Sequence, residues 1–234
     1  MSNLNVAITF TCYKRLDYLQ QVLDGLRRSF EYCNTSLPIF FCVDRYDDNI
    51  PNYIRNINWA DISIIINKPS IGCNKNTKLA ISMGLQEYDA IIHLEDDTVP
   101  TKDAINFFID NLIRYKDDET VYSIGGYTRT TELDKTLLNQ TAKRCGFTCW
   151  GCGFWKHKSD VLLNNWIPTM NRENQSISWD SYLNDNVFIP NNLYQITPLI
   201  SRIQNIGAEN GTWVQDPNFH NMNHRSPYTS DDAL

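Results

Sequence analysis

Asp89-Ala90-Ile91-Ile92-His93-Leu94-Glu95-Asp96-Asp97-Thr98-Val99-Pro100 passes directly from an apolar run into three consecutive carboxylates. The run reads as a buried strand with the acidic triplet at its carboxyl end. Pro100 is expected to open a helix, because Ile105, Phe108, Ile109 and Leu112 then fall on one face. Toward the N-terminus the same alternation recurs. Val6 to Thr11, Leu37 to Val43 and Asp61 to Ile66 are apolar strand-like runs, the second ending at Asp44. Between them, residues 16–28 carry a helical stripe of Leu16, Leu19, Val22, Leu23 and Leu26, and residues 74–87 read as a second helix. Four strands alternating with helices predict an α/β fold with a mostly parallel central sheet and helices on both faces. Ligands of such sheets bind beyond the carboxyl ends of the strands. Thr11 to Arg15, Asp44 and the Glu95 triplet all fall at that edge.

Beyond residue 120 the pattern weakens. Val121 to Ile124 reads as a strand, Thr128 to Arg144 as a polar loop, and Phe147 to Trp155 as an aromatic, glycine-rich segment. Helices are expected over 159–166 and 178–188, a late strand over 199–206, and an irregular polar tail from Asp216.

The chain has 234 residues, enough for one substantial domain, and 42% hydrophobic with 21% charged residues is the balance of a globular protein with a real core. A formal net charge of −6 speaks against a nucleic-acid binder, which needs a basic face. No run of 18 apolar residues is present, so no membrane span is expected, and no charged segment precedes a long apolar one as in an export signal. Seven scattered cysteines, an odd number, then read as free thiols of a cytoplasmic protein.

Three adjacent carboxylates repel one another, and a divalent cation removes that cost. Hard oxygen ligands suit Mg²⁺ or Mn²⁺, which also bind substrate phosphates. The plain alternative is a solvated acidic loop. A helix start at Arg15 could hold a diphosphate, or Lys14 and Arg15 could simply be solvated. No Gly-x-Gly-x-x-Gly or Walker sequence is present. Cys145, Cys149 and Cys152 lack the paired spacing of structural zinc sites and read as thiols packed among aromatic rings. Trp179-Asp180-Ser181-Tyr182 could bind a sugar through ring and carboxylate, yet on the residues alone a helix N-cap at Ser178 or Asp180 is the better account. His220 and His224 in the tail could complete a metal shell or touch phosphate, or lie exposed.

Taken together, these segments resemble the family-A (GT-A, Rossmann-like) glycosyltransferases. Thr11-Cys12-Tyr13-Lys14-Arg15-Leu16 is similar to their opening, Ile71 to Asn76 to their Asn-x-Gly loop, and Leu94 to Pro100 to the Glu-Asp-Asp form of their metal motif. Val121 to Tyr127, Trp150 to Trp155 and Ser201 to Gly207 resemble later segments of bacterial family 2-like members. Trp179 to Leu183 and Pro198 to Arg202 are similar to Trp-Asp-Asp-Trp-Met and Pro-Glu-Ile-Ser-Arg of the N-acetylglucosaminyltransferase I family, with Ser181 replacing the second Asp. The resemblance spans nearly the whole chain.

It implies a single domain, with a nucleotide-sugar half over about 1–125, an acceptor half over about 126–215 and a tail over 216–234. It further implies a hexosyl- or N-acetylhexosaminyl-transferase using Mn²⁺ or Mg²⁺, a nucleotide-sugar donor often linked to UDP, and a saccharide acceptor, with inversion at the transferred carbon. Asp97 would bind the metal. Asp96 and Glu95 would meet ribose and sugar, Arg15 the diphosphate, and Asp44 and Asn76 the nucleobase, with Thr11 also on the donor side. Asp180 would be the general base, and Trp150, Gly151 and Trp179 would face the acceptor. A nucleotidyltransferase, or a carbohydrate-binding module with Trp150, Trp155 and Trp179 as platforms, are the competing readings.

Overall fold

The computed structural model describes residues 4–168, 177–209 and 216–234. The elements run β1 (Val6–Cys12), α1 (Leu16–Cys33), β2 (Ile39–Asp44), α2 (Asn49–Arg55), β3 (Ile62–Asn67), α3 (Cys73–Glu87), β4 (Ala90–Glu95), β5 (Thr98–Pro100), α4 (Ala104–Arg114) and β6 (Val121–Gly125). They continue as β7 (Thr141–Cys145), β8 (Cys152–Trp155), α5 (Ser159–Leu163), α6 (Trp179–Leu183), β9 (Tyr194–Pro198), β10 (Ile203–Asn205) and α7 (Pro217–Asn223). A π-helical turn, Asn184–Phe188, extends α6.

The main sheet has the order β3-β2-β1-β4-β8-β6-β9-β7. The first four strands are parallel, with Ile8 opposite both Ile39 and Ile92. β8 runs antiparallel to β4 and β6, β9 parallel to β6, and β7 antiparallel at the edge. Both faces are covered, as apolar runs without alternation require. On one side Leu19, Leu23 and Leu26 of α1 and Phe108 and Leu112 of α4 pack on Phe10, Phe41 and Ile92. On the other, Ile81 and Leu85 of α3 join Ile91, Phe154, Phe147 and Trp179. Gly84 lets α3 lie close on the sheet: a Cβ there would sit 2.5 Å from the Thr9 methyl.

Four elements depart from the sequence reading. Pro100 ends β5 rather than opening a helix. Thr98 Oγ1 bonds to both N and O of Glu95, turning the chain so that residues 98–100 pair antiparallel with β10, and α4 starts only at Ala104. The segment 128–144 read as loop contains most of the edge strand β7. The late strand is only Ile203–Asn205, while Tyr194–Pro198 forms the unforeseen β9. The tail is ordered: Asp216 caps α7 through Asn218 N, and Ser230 Oγ donates to Thr101 in the core while its N–H reaches Ser201 O. Among the described residues no helix is long and apolar enough to cross a membrane. Residues 169–176 and 210–215 of the expected acceptor half lie outside the described residues.

Candidate functional site

The carboxyl ends of β1, β2 and β4 form the floor of a cleft of about 490 Å³. The structure brings Thr11, Arg15, Asp44, Asn76, Glu95, Asp96, Asp97, Trp150, Trp179 and Asp180 to this one lining. Gly151 lies outside it. With φ +64° it makes the turn before β8, and a Cβ there would meet Ile203 at 2.6 Å.

Charge on the floor is unbalanced. Arg15 bonds Asp96 Oδ1 through Nη2, and its Nη1 lies 2.8 Å from Asp97 Oδ2. The family resemblance turns Arg15 toward a diphosphate and Asp96 toward ribose; in the structure the two side chains are bonded to each other. Burial works against the Arg15 charge, but Asp97 and Asp96 outweigh it and hold the guanidinium above its ordinary value. Burial also pushes Asp96 up to about 6 against the pull of Arg15. Glu95 is driven well above the carboxylate range by burial, then by Asp97, Asp180 and Asp96. One guanidinium does not neutralise this group.

Asp44 and Asn76 sit on the far side, and both are largely committed within the protein. Asp44 accepts from Ser70 Oγ at 2.6 Å, Ile71 N at 2.7 Å and Gly72 N at 2.9 Å, so it shapes the loop before α3. Asn76 donates to Cys42 O at 2.9 Å and accepts from Asn67 Nδ2 at 2.7 Å.

Asp180 lines the same cleft, and its charge bears on Glu95. Ser178 is the N-cap of α6, accepting from Ser181 N, so Asp180 is not needed for that task. Asn74 fixes the start of this helix, accepting from Trp179 N at 3.0 Å and donating to Ile177 O at 3.3 Å. Cys149 Sγ donates to Asp180 Oδ2 at 3.4 Å; burial and Asp180 keep this thiol well above its ordinary pKa and therefore protonated. Trp179 presents no free ring face. It is 1% exposed, stacked on Trp166 at 5.1 Å and packed against Phe147 and His93. Trp150 is the more open ring, held edge-on to Tyr127 and against His224. Cys145 is exposed while Cys149 and Cys152 are buried.

His220 and His224, open to several readings in the sequence, both line the cleft, as do Asn205 and Gly207. Tyr127 Oη, bonded to His224 O at 2.7 Å, helps seat the tail there. Asp97 Oδ1, His220 Nδ1 and His224 Nδ1 are buried with no hydrogen-bond partner among the described residues. Gly207 leaves room beside Asp97: a Cβ would fall 2.2 Å from Oδ2. Unpartnered acceptors in an acidic floor are the donor set a divalent cation requires, so the residues present fit one. Among the described residues no three His, Cys, Asp or Glu side chains are gathered for a metal. A cation held here would therefore complete its shell with water and phosphate oxygens.

No family model matches the chain, and no curated protein matches it by sequence. Solved structures do match its fold. TarS 1–349 of S. aureus aligns with TM-score 0.55 at 10% identity, covering 86% of this chain and 59% of that one. The same protein in complex with UDP gives 0.53 at 11%, covering 83% and 60%. The mannosyltransferase PcManGT of Pyrobaculum calidifontis, in complex with GDP-Man and Mn²⁺, gives 0.53 at 12%, covering 85% and 55%. The chain thus spans less than two thirds of the length of each, and it shares with them a mixed α/β fold built on a large, mostly parallel sheet flanked by helices.

Proposed function

We propose that this protein is a glycosyltransferase that moves a sugar from a nucleoside-diphosphate donor, UDP-linked by preference, to a hydroxyl of a saccharide acceptor, with inversion. The observation that carries the reading is one cleft lined by carboxylates from two different elements: Asp97, two residues beyond β4, in a lining that also holds the unpartnered His220 Nδ1, and Asp180 on α6. Structures of the same fold with UDP, or with GDP-Man and Mn²⁺, support the donor class.

Asp97 and His220 would hold the metal, and of Mn²⁺ and Mg²⁺ an imidazole nitrogen favours Mn²⁺. Bound there, the cation would neutralise the departing nucleoside diphosphate. Arg15 adds positive charge on the same side. Asp180 takes the acceptor proton: Cys149 occupies Oδ2, leaving Oδ1 for the incoming hydroxyl. Trp150, the open ring, covers an apolar sugar face, while Trp179 backs the wall.

Incubating the protein with a panel of nucleotide sugars and simple saccharides, with Mn²⁺, Mg²⁺ or chelator, tests the reading. Released nucleoside diphosphate and a product of inverted anomeric configuration are expected. Release of pyrophosphate would instead support a nucleotidyltransferase, and binding without turnover a carbohydrate-binding module.

A further inference from the structure

Asn205 is the last residue of β10 and is 4% exposed. Its Oδ1 accepts from Gly207 N at 2.8 Å and lies 2.8 Å from His220 Nε2. A backbone N–H only donates, so the atom facing Gly207 must be the amide oxygen. That oxygen has no proton to give, so the proton of its second hydrogen bond belongs to His220 Nε2. In the neutral ring Nδ1 is then a bare lone pair. This nitrogen is buried and no hydrogen bond of ordinary geometry reaches it among the described residues, though the neighbouring Asn221 side chain bears on the ring; Asp97 Oδ1, in the lining of the same cleft, is likewise unpartnered. Two acceptors cannot satisfy each other, and neither can hydrogen-bond a third acceptor; a cation satisfies both.

The same amide oxygen also sets the second wall. Its bond to Gly207 N tightens the turn that brings residue 207 against Asp97 Oδ2, where no side chain fits. The outer partner of a ligating histidine fixes which nitrogen faces the metal, and its loss typically costs about 10- to 100-fold in affinity.

From this geometry we infer that Asn205 is a positioning residue: it locks His220 in the Nε2–H tautomer and so presents Nδ1 to the cation at Asp97. The inference rests on the reading of a cation site at Asp97, and the test separates the two. Long-range ¹H–¹⁵N spectra of the ¹⁵N-histidine-labelled protein should show His220 as the Nε2–H tautomer before metal is added. Calorimetric titration with Mn²⁺ alone should show binding that is lost in Asp97→Asn, weakened about 10- to 100-fold in Asn205→Leu, and largely retained in Asn205→Asp, which keeps an acceptor. Asn205→Leu should add little in a His220→Phe background. If the wild-type protein binds no Mn²⁺, the cation site fails and the inference with it. If it binds Mn²⁺ through Asp97 but Asn205→Leu binds as tightly, the positioning role alone is overturned. Should Asn205→Leu fail to fold, the wild-type spectrum decides: an Nδ1–H tautomer overturns the lock.

Discussion

Asp180 has neighbours that hold it without consuming it. Ser178 caps the helix, Asn74 anchors its first turn, and among the described residues one carboxylate oxygen is engaged, by Cys149. Asp180→Asn should therefore leave thermal stability and nucleotide affinity nearly unchanged while turnover falls by about two to four powers of ten. Equal turnover in steady-state assays would remove Asp180 from the mechanism. His93 makes a different kind of prediction. It is fully enclosed in β4, bonded to Thr9 Oγ1 at 3.0 Å, and burial pushes its pKa down to about 3. In the unfolded chain the ordinary value is about 6.5. Between these values the unfolded state binds the extra proton, so stability rises with pH through the window and is lost as pH falls from about 6.5 toward 3. The slope approaches about 1.4 kcal/mol per pH unit. Urea unfolding from pH 4 to 8 should show this slope in the wild type and a flatter one in His93→Gln. That the acidic triplet, Arg15 and Asp44 share one cleft was legible because all fall at or just beyond strand ends. The orientation of His220 was not, because it depends on an amide fifteen residues away, brought beside it by folding.

Strands β1, β2 and β4 were readable because each is a continuous apolar run buried on both faces, and β3, half-buried at the sheet edge, because its isoleucines continue the same pattern. β8 and β9 hid their nature. β8 has four residues, one of them glycine, and β9 buries Gln195, whose amide serves the backbone N and O of Thr148. Both are strands because of their neighbours rather than their composition. The tail helix does carry a local signal, Asp216 at the cap followed by Pro217 in its first turn. Lys158 joins elements in a way no local pattern shows. Its ammonium donates to Asp118 O and Val121 O at 2.8 Å and to Tyr115 O at 3.3 Å, tying the end of α4 to the start of β6. Lys158→Met should keep the stem packed on Trp155 but leave those carbonyls short of a donor, costing about 2–4 kcal/mol in chemical denaturation. A cost under about 0.5 kcal/mol would mean that water replaces the ammonium.

At the scale of the whole molecule, the site is assembled from distant parts of the chain: three strand ends from the first half, one helix after residue 177, and a tail folded back to within reach of Asp97. The fold class was legible because the first hundred residues repeat one unit. The closing of the cleft was not, because it rests on long-range contacts such as Tyr127 with His224 and Gln204 with Ser226. The strand order carries a further consequence. β8 lies between β4 and β6, so β6 finds no place in the sheet until residues 152–155 exist. On the ribosome, the parallel half emerges complete while Ala90, Ile91 and Ile92 still offer an open apolar edge. At roughly 5–20 residues per second that edge stays unpaired for several seconds. Nascent chains stalled near residue 130 should therefore pellet or recruit holdase chaperones, and chains long enough to release Trp155 from the exit tunnel should not. The order of synthesis, rather than the stability of the finished sheet, would then set how much of this protein reaches its folded form.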